Sequence, residues 1–241
     1  MESKRFVGHW HYGVILTYLS VAAAIAGIFF SASEHPGYGV LCLLISGFCD
    51  SFDGAVAKTR KNRTRQDRMF GEQIDSLSDI IAFGVAPIMI GWGMGMREWY
   101  YAPIFVAFSL CALIRLAYFN VEEAIRVENA PDECRTSYVG LPVTNVAIGL
   151  PIFYMVATMF RDPSAYNPAT NPHCFSDTTF IIMSCAYALI AFLFIFRFNT
   201  PKFKIKAILI TMICVVLLVL GLLAIQKFVL DYSPVWFFWI K

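Results

Sequence analysis

Charge is scarce in this 241-residue chain: Asp, Glu, Lys and Arg supply 15% of it, and 58% is hydrophobic. A soluble domain carries roughly 25% charged residues, so that class is excluded and an integral membrane protein is indicated; the mean hydropathy of +0.62 agrees. Long polar stretches are missing too. No second, soluble domain fits, and residues 1–241 are read as a single membrane domain. No segment repeats, which argues against internally duplicated transporters. Histidines number 4, and the 7 cysteines (Cys42, Cys49, Cys111, Cys134, Cys174, Cys185, Cys214) show no C-x-x-C spacing. Zinc sites and redox dithiols are thereby disfavoured, and the cysteines read as small core residues. No small-residue cleavage site closes the first apolar run, so that run is read as a retained helix. Nothing points to nucleic acid as a partner.

What is present is a series of apolar windows of about 20 residues, the length that crosses a bilayer. They run Tyr12–Phe30, Tyr38–Val56, Leu77–Gly95, Tyr101–Phe119, Leu141–Phe160, Phe180–Phe196 and Ala207–Ile225. The fold class is therefore all-α, a polytopic membrane bundle of about seven helices (six to eight, counting the apolar tail SPVWFFWIK). The segment Val121–Ser137 reads as a polar connector, either a short amphipathic helix or a solvated link. Lys58, Arg60, Lys61, Arg63, Arg65 and Arg68 crowd one connector, Lys202, Lys204 and Lys206 another, and Lys4 and Arg5 precede the first helix. The positive-inside tendency places all of them in the cytoplasm, with the N-terminus in and the C-terminus out.

Against this background Asp50, Asp53, Asp75 and Asp79 are anomalous, because an ionised carboxylate in a membrane costs several kcal/mol unless paired or bound to a cation. On the reading of the basic segments, all four lie toward the cytoplasmic half, the first pair at the inner end of the second helix and the other at the inner start of the third. Asp50 and Asp53 are three apart and Asp75 and Asp79 four apart, so each pair shares one helix face. Two such faces turned toward each other form an oxygen-only cage suited to Mg²⁺ or Mn²⁺, with room for two ions of the kind that drive displacement at phosphorus. Gly54 follows Asp53, Ala57 lies one turn on, and Gly71 opens the third helix, so a bulky phosphate-bearing group can approach the backbone. Lys58 closes the run and is poised for a phosphate.

The strings Asp50-Ser-Phe-Asp53-Gly54-Ala-Val-Ala57-Lys58 and Gly71-Glu-Gln-Ile-Asp75-Ser-Leu-Ser-Asp79 resemble the signature of the CDP-alcohol phosphotransferases, D-x2-D-G-x2-A-R-x8-G-x3-D-x3-D. Two departures stand out: Lys58 replaces the usual Arg, and twelve residues instead of about eight separate it from Gly71. Lysine keeps the charge but loses the planar fork that grips phosphate twice, a fork that Arg60 in the long connector could restore. Further on, IDSLSDIIAFGVAP, Arg115-Leu-Ala-Tyr-Phe-Asn120 and Tyr138-Val-Gly140-Leu141-Pro142 resemble the serine-using branch of that family. The catalytic core would span about 38–145.

The resemblance implies a phosphatidyl transfer from CDP-diacylglycerol to L-serine in the cytoplasmic membrane, with the active site facing the cytoplasm and CMP as the second product. It implies Asp50, Asp53, Asp75 and Asp79 as ligands of Mg²⁺ or Mn²⁺, with Asp79 also the general base, and Asp53, Gly54, Ala57, Lys58 and Gly71 around the CDP moiety. Arg60, Arg115 and Asn120 are candidates for phosphate or serine binding. A homodimer is left open. Two alternatives also stay open: another acceptor alcohol, such as glycerol 3-phosphate or an inositol phosphate, and a divalent-cation transporter that uses the aspartates as its ion path.

Overall fold

The computed structural model describes residues 12–59, 64–129, 137–160, 162 and 175–201. Helices dominate them: α1 (Ile15–Ala32), α2 (Pro36–Lys58), α3 (Arg65–Asp79), a π-helical stretch Ile80–Val85, α4 (Ala86–Met94), α5 (Ala102–Asn129), α6 (Val146–Thr158) and α7 (Asp177–Ile195). A polytopic helical membrane protein results. Among the described residues four helical stretches are long and apolar enough to cross a bilayer, namely Ile15–Ala32, Arg65–Met94, Trp99–Asn129 and Asp177–Ile195, while the apolar stretch Val143–Thr158 is shorter. The window Ala207–Ile225, the apolar tail and most of the basic connector lie outside the described residues.

The helix bearing Asp75 and Asp79 begins twelve residues before the apolar window at Leu77. Local chemistry explains the early start. Thr64 accepts a hydrogen bond from the Asp67 backbone N–H at 3.1 Å, and the Asp67 carboxylate accepts one from the Thr64 N–H at 3.1 Å. This capping box satisfies two otherwise orphaned donors and nucleates the helix inside a polar segment. Gly71 and both aspartates therefore sit in the interior of the helix and not at its start. Past Asp79 the coil loosens into the π stretch, where the Gly84 carbonyl accepts a 2.9 Å hydrogen bond from the Ser109 hydroxyl of α5. Pro87 cannot donate to the helix, and its own carbonyl accepts from buried Tyr187 of α7 at 2.5 Å. Gly95, at φ 111, ends α4 in the left-handed conformation.

A second departure from the sequence windows is α5, which continues through Val121–Asn129 instead of ending near Phe119. The Glu123–Arg126 pair, 2.6 Å apart and three residues along, supports that extension. Arg65–Met94 is 30 residues long and Trp99–Asn129 is 31, or about 45 Å each at 1.5 Å per residue. Hydrocarbon occupies about 30 Å, so both antiparallel stretches overhang, and the overhangs point the same way. At the opposite end Arg97 pairs with Glu34 at 2.8 Å, and exposed Trp92 and Trp99 form an aromatic rim.

Besides helices the described residues hold one short antiparallel ladder, β1 (Ser137–Val139) with β2 (Asn199–Pro201), in register Tyr138 to Thr200. It ties the chain ahead of α6 to the chain after α7. The core lies between α2, α4, α5, α6 and α7, where Phe105 and Phe108 meet the Tyr187 ring edge-on at centroid distances of 5.3 Å. Cys42 and Cys49 of α2 are buried free thiols, Cys42 beside Gly27 of α1.

Candidate active site

Helix geometry alone brings the aspartates to one level. Asp50 lies fourteen residues from Pro36 and Asp79 fifteen from Met94, both helix ends being on the Trp92 side; at 1.5 Å per residue that is about 21 and 22 Å. Asp53 and Asp75 sit one turn nearer the overhangs, at about 26 and 28 Å. Antiparallel α2 and α3 should thus oppose Asp50 to Asp79 and Asp53 to Asp75. The side chains do so: the carboxylate of Asp50 faces that of Asp79, and the carboxylate of Asp53 faces that of Asp75.

Carboxylate oxygens of Asp50, Asp75 and Asp79 lie within 4.8 Å of one another. Asp53 falls outside that triplet. It is 8% exposed, contacts Asp75, and accepts a 3.1 Å hydrogen bond from the Thr17 hydroxyl of α1. Among the described residues no Lys or Arg forms an ion pair with any of the four; the ion pairs are Arg97–Glu34 and Arg126–Glu123. Ionised carboxylates this close would repel by about 3 kcal/mol per pair at an effective dielectric of 20. A compact set of hard oxygen donors with no basic partner among the described residues fits Mg²⁺ or Mn²⁺ and does not suit zinc.

Gly54 is exposed beside Asp53, and a Cβ built on it would meet nothing within 4 Å. Among the described residues nothing covers this turn of α2. Ala57 and Lys58 lie on the last turn of α2, Gly71 is half-buried on α3, and Arg60 is outside the described residues. Asn120 of α5 is tied to Ser76, the neighbour of Asp75: its Nδ2 donates to Ser76 Oγ at 2.9 Å, and its Oδ1 lies 3.1 Å from the same hydroxyl. Arg115 is 6% exposed in mid-helix and not near a helix end, and its Nε donates to the Leu141 carbonyl at 2.9 Å. Gly140 beside it adopts φ +77, and a Cβ there would stand 3.2 Å from the Phe196 carbonyl and 3.5 Å from Arg115 Nε. The two later sequence segments, around Arg115 and around Gly140, thus meet in space. Thr17 and Ser76 carried no sequence signal, since a hydroxyl in an apolar helix is common and its partner is visible only once the helices are packed.

The CDP-alcohol phosphatidyltransferase family profile matches residues 10–240. Over 115 residues, 47% of this chain, it is 36% identical to the CDP-diacylglycerol–serine O-phosphatidyltransferase of Saccharomyces cerevisiae. Over 136 residues, 56% of this chain, it is 26% identical to the protein of the same name from Mycobacterium tuberculosis. An archaetidylserine synthase of Methanothermobacter thermautotrophicus is 29% identical over 157 residues, 64% of this chain and 62% of that protein. The matched part spans less than half the length of the first two relatives, 40% of the yeast protein and 46% of the mycobacterial one.

Proposed function

The chain belongs to the CDP-alcohol phosphatidyltransferase family, and from that premise we propose that it transfers the phosphatidyl group of CDP-diacylglycerol to the hydroxyl of L-serine, releasing CMP. The observation that carries this reading is the meeting of Asp50, Asp75 and Asp79 from the two halves of the aspartate motif. The names of the relatives support serine as acceptor, as does the contact that joins the segments around Arg115 and Leu141. In this reading residues 38–145 form the catalytic core of one membrane domain in the cytoplasmic membrane, and the overhanging ends of α3 and α5 face the cytoplasm.

Asp50, Asp53, Asp75 and Asp79 would hold Mg²⁺ or Mn²⁺, two ions in the fullest arrangement. When bound, the metal neutralises pyrophosphate charge and eases departure of CMP. The open turn at Gly54 admits the cytidine diphosphate, flanked by Asp53, Ala57, Lys58 and Gly71. The acyl chains stay in the bilayer while serine enters from water. Asp79 takes the proton of the serine hydroxyl as the oxygen–phosphorus bond to serine forms and the phosphorus–oxygen bond to CMP breaks. Arg115 offers charge near the acceptor, and Asn120 orders α5 against α3.

Purified protein in detergent, given CDP-diacylglycerol, Mn²⁺ and in separate reactions L-serine, glycerol 3-phosphate or inositol, tests the assignment through CMP release. Release with serine alone supports it. Release with another acceptor and none with serine moves the chain to a different branch.

A further inference from the structure

Thr17 stands on α1, outside both halves of the aspartate motif, yet its hydroxyl reaches Asp53. The Oγ1 to Oδ2 distance is 3.1 Å, and the two residues are 4% and 8% exposed. A threonine hydroxyl has one proton to donate. In a helix it commonly donates to its own backbone one turn back; here it crosses to α2. One turn along α1, Ser20 Oγ lies 2.7 Å from Ser46 Oγ and 3.2 Å from the Ser46 carbonyl. Thr17 and Ser20 therefore share a face of α1 packed on α2, and the second contact fixes the height at which the first is made. Thr17 lies fifteen residues from Ala32, about 22 Å along the helix, close to the level of the carboxylates.

We propose that Thr17 is a positioning residue: its hydroxyl locks one oxygen of Asp53, so that the carboxylate is held in one rotamer beside Asp75 for a divalent cation. An aspartate free to turn about its two side-chain bonds must be ordered when a cation binds, and that ordering weakens the binding. A donor already in place removes this cost, as outer-shell partners of metal ligands do elsewhere, with losses of about 10- to 100-fold in affinity when they are deleted. This role rests on the metal reading of the aspartates.

The test uses Mn²⁺ alone, titrated into the full chain in detergent without lipid substrate and followed by the loss of the free-ion electron paramagnetic resonance signal. Thr17→Val removes the donor at similar volume, and Thr17→Ser keeps it. The valine variant should weaken Mn²⁺ binding about tenfold, with the serine variant within about threefold of wild type. Adding Thr17→Val to Asp53→Asn should weaken binding no further, because the hydroxyl acts only through that carboxylate; this comparison holds even if the valine variant is also less stable. Wild-type affinity in the valine variant, equal losses for valine and serine, or full additivity with Asp53→Asn would overturn the proposal. Wild-type protein that takes up no Mn²⁺ overturns it together with the metal reading, so the two failures are distinguishable.

Discussion

Arg115 Nε and the Leu141 carbonyl, 2.9 Å apart, bind the middle of α5 to the turn that leads into α6. The arginine is 6% exposed, so its stem is packed and its head is held by protein. Such a residue cannot be exchanged for lysine without loss, because an ammonium lacks the planar fork that donates in two directions at once. Arg115→Lys should lower CMP release at least tenfold with a small drop in melting temperature. Arg115→Ala should also cost about 1–3 kcal/mol of stability, from the half-buried Leu141 carbonyl left without its donor. Activity assays beside thermal melts check both; full activity in the lysine variant would reduce Arg115 to a packing residue.

The Asn120–Ser76 link makes a different claim. Both side chains are half-buried, and the asparagine is engaged with a residue next to Asp75. If its task is to hold α5 on α3, then Asn120→Ala, Ser76→Ala and the double variant should show a coupling of about 0.5–1.5 kcal/mol in stability. The two single variants should then lose activity to a similar extent. A rise in KM for serine confined to Asn120→Ala would instead return this residue to the acceptor site.

How much of this could be read beforehand differs from residue to residue. The spacing of Asp50 with Asp53 and of Asp75 with Asp79 gave the shared faces, because helical periodicity is local and strong. The start of α3 at Arg65 was misplaced because hydropathy windows ignore caps; the T-R-Q-D run from Thr64 to Asp67 was a readable sign of it. Val121–Ser137 reads equally as a short amphipathic helix or a solvated link, because its charged residues resemble those of a loop; the structure carries α5 as one helix through Val121–Asn129. The π stretch after Asp79, the Thr17 hydrogen bond and the meeting of Arg115 with Leu141 depend on which helices pack together, and no local pattern carries that information.

Gly54 offers a prediction in which stability and activity part company. A Cβ there meets none of the described residues within 4 Å, and alanine favours a helix over glycine by about 1 kcal/mol. Gly54→Ala should fold as well as wild type or melt slightly higher. If the open turn admits the cytidine diphosphate, the same methyl group should raise KM for CDP-diacylglycerol several-fold. Unchanged kinetics would place the nucleotide elsewhere.

The central claim is that the converging aspartates carry out metal-dependent transfer to serine. Purified protein incubated with CDP-diacylglycerol and isotope-labelled L-serine, with the lipid product followed by mass spectrometry, tests it most directly. Labelled phosphatidylserine should form with Mn²⁺ or Mg²⁺, stop on chelation, resume when the metal is restored, and fall at least a hundredfold in Asp50→Asn, Asp75→Asn and Asp79→Asn. Product that forms undiminished in the presence of chelator, or in all three variants, would contradict the account.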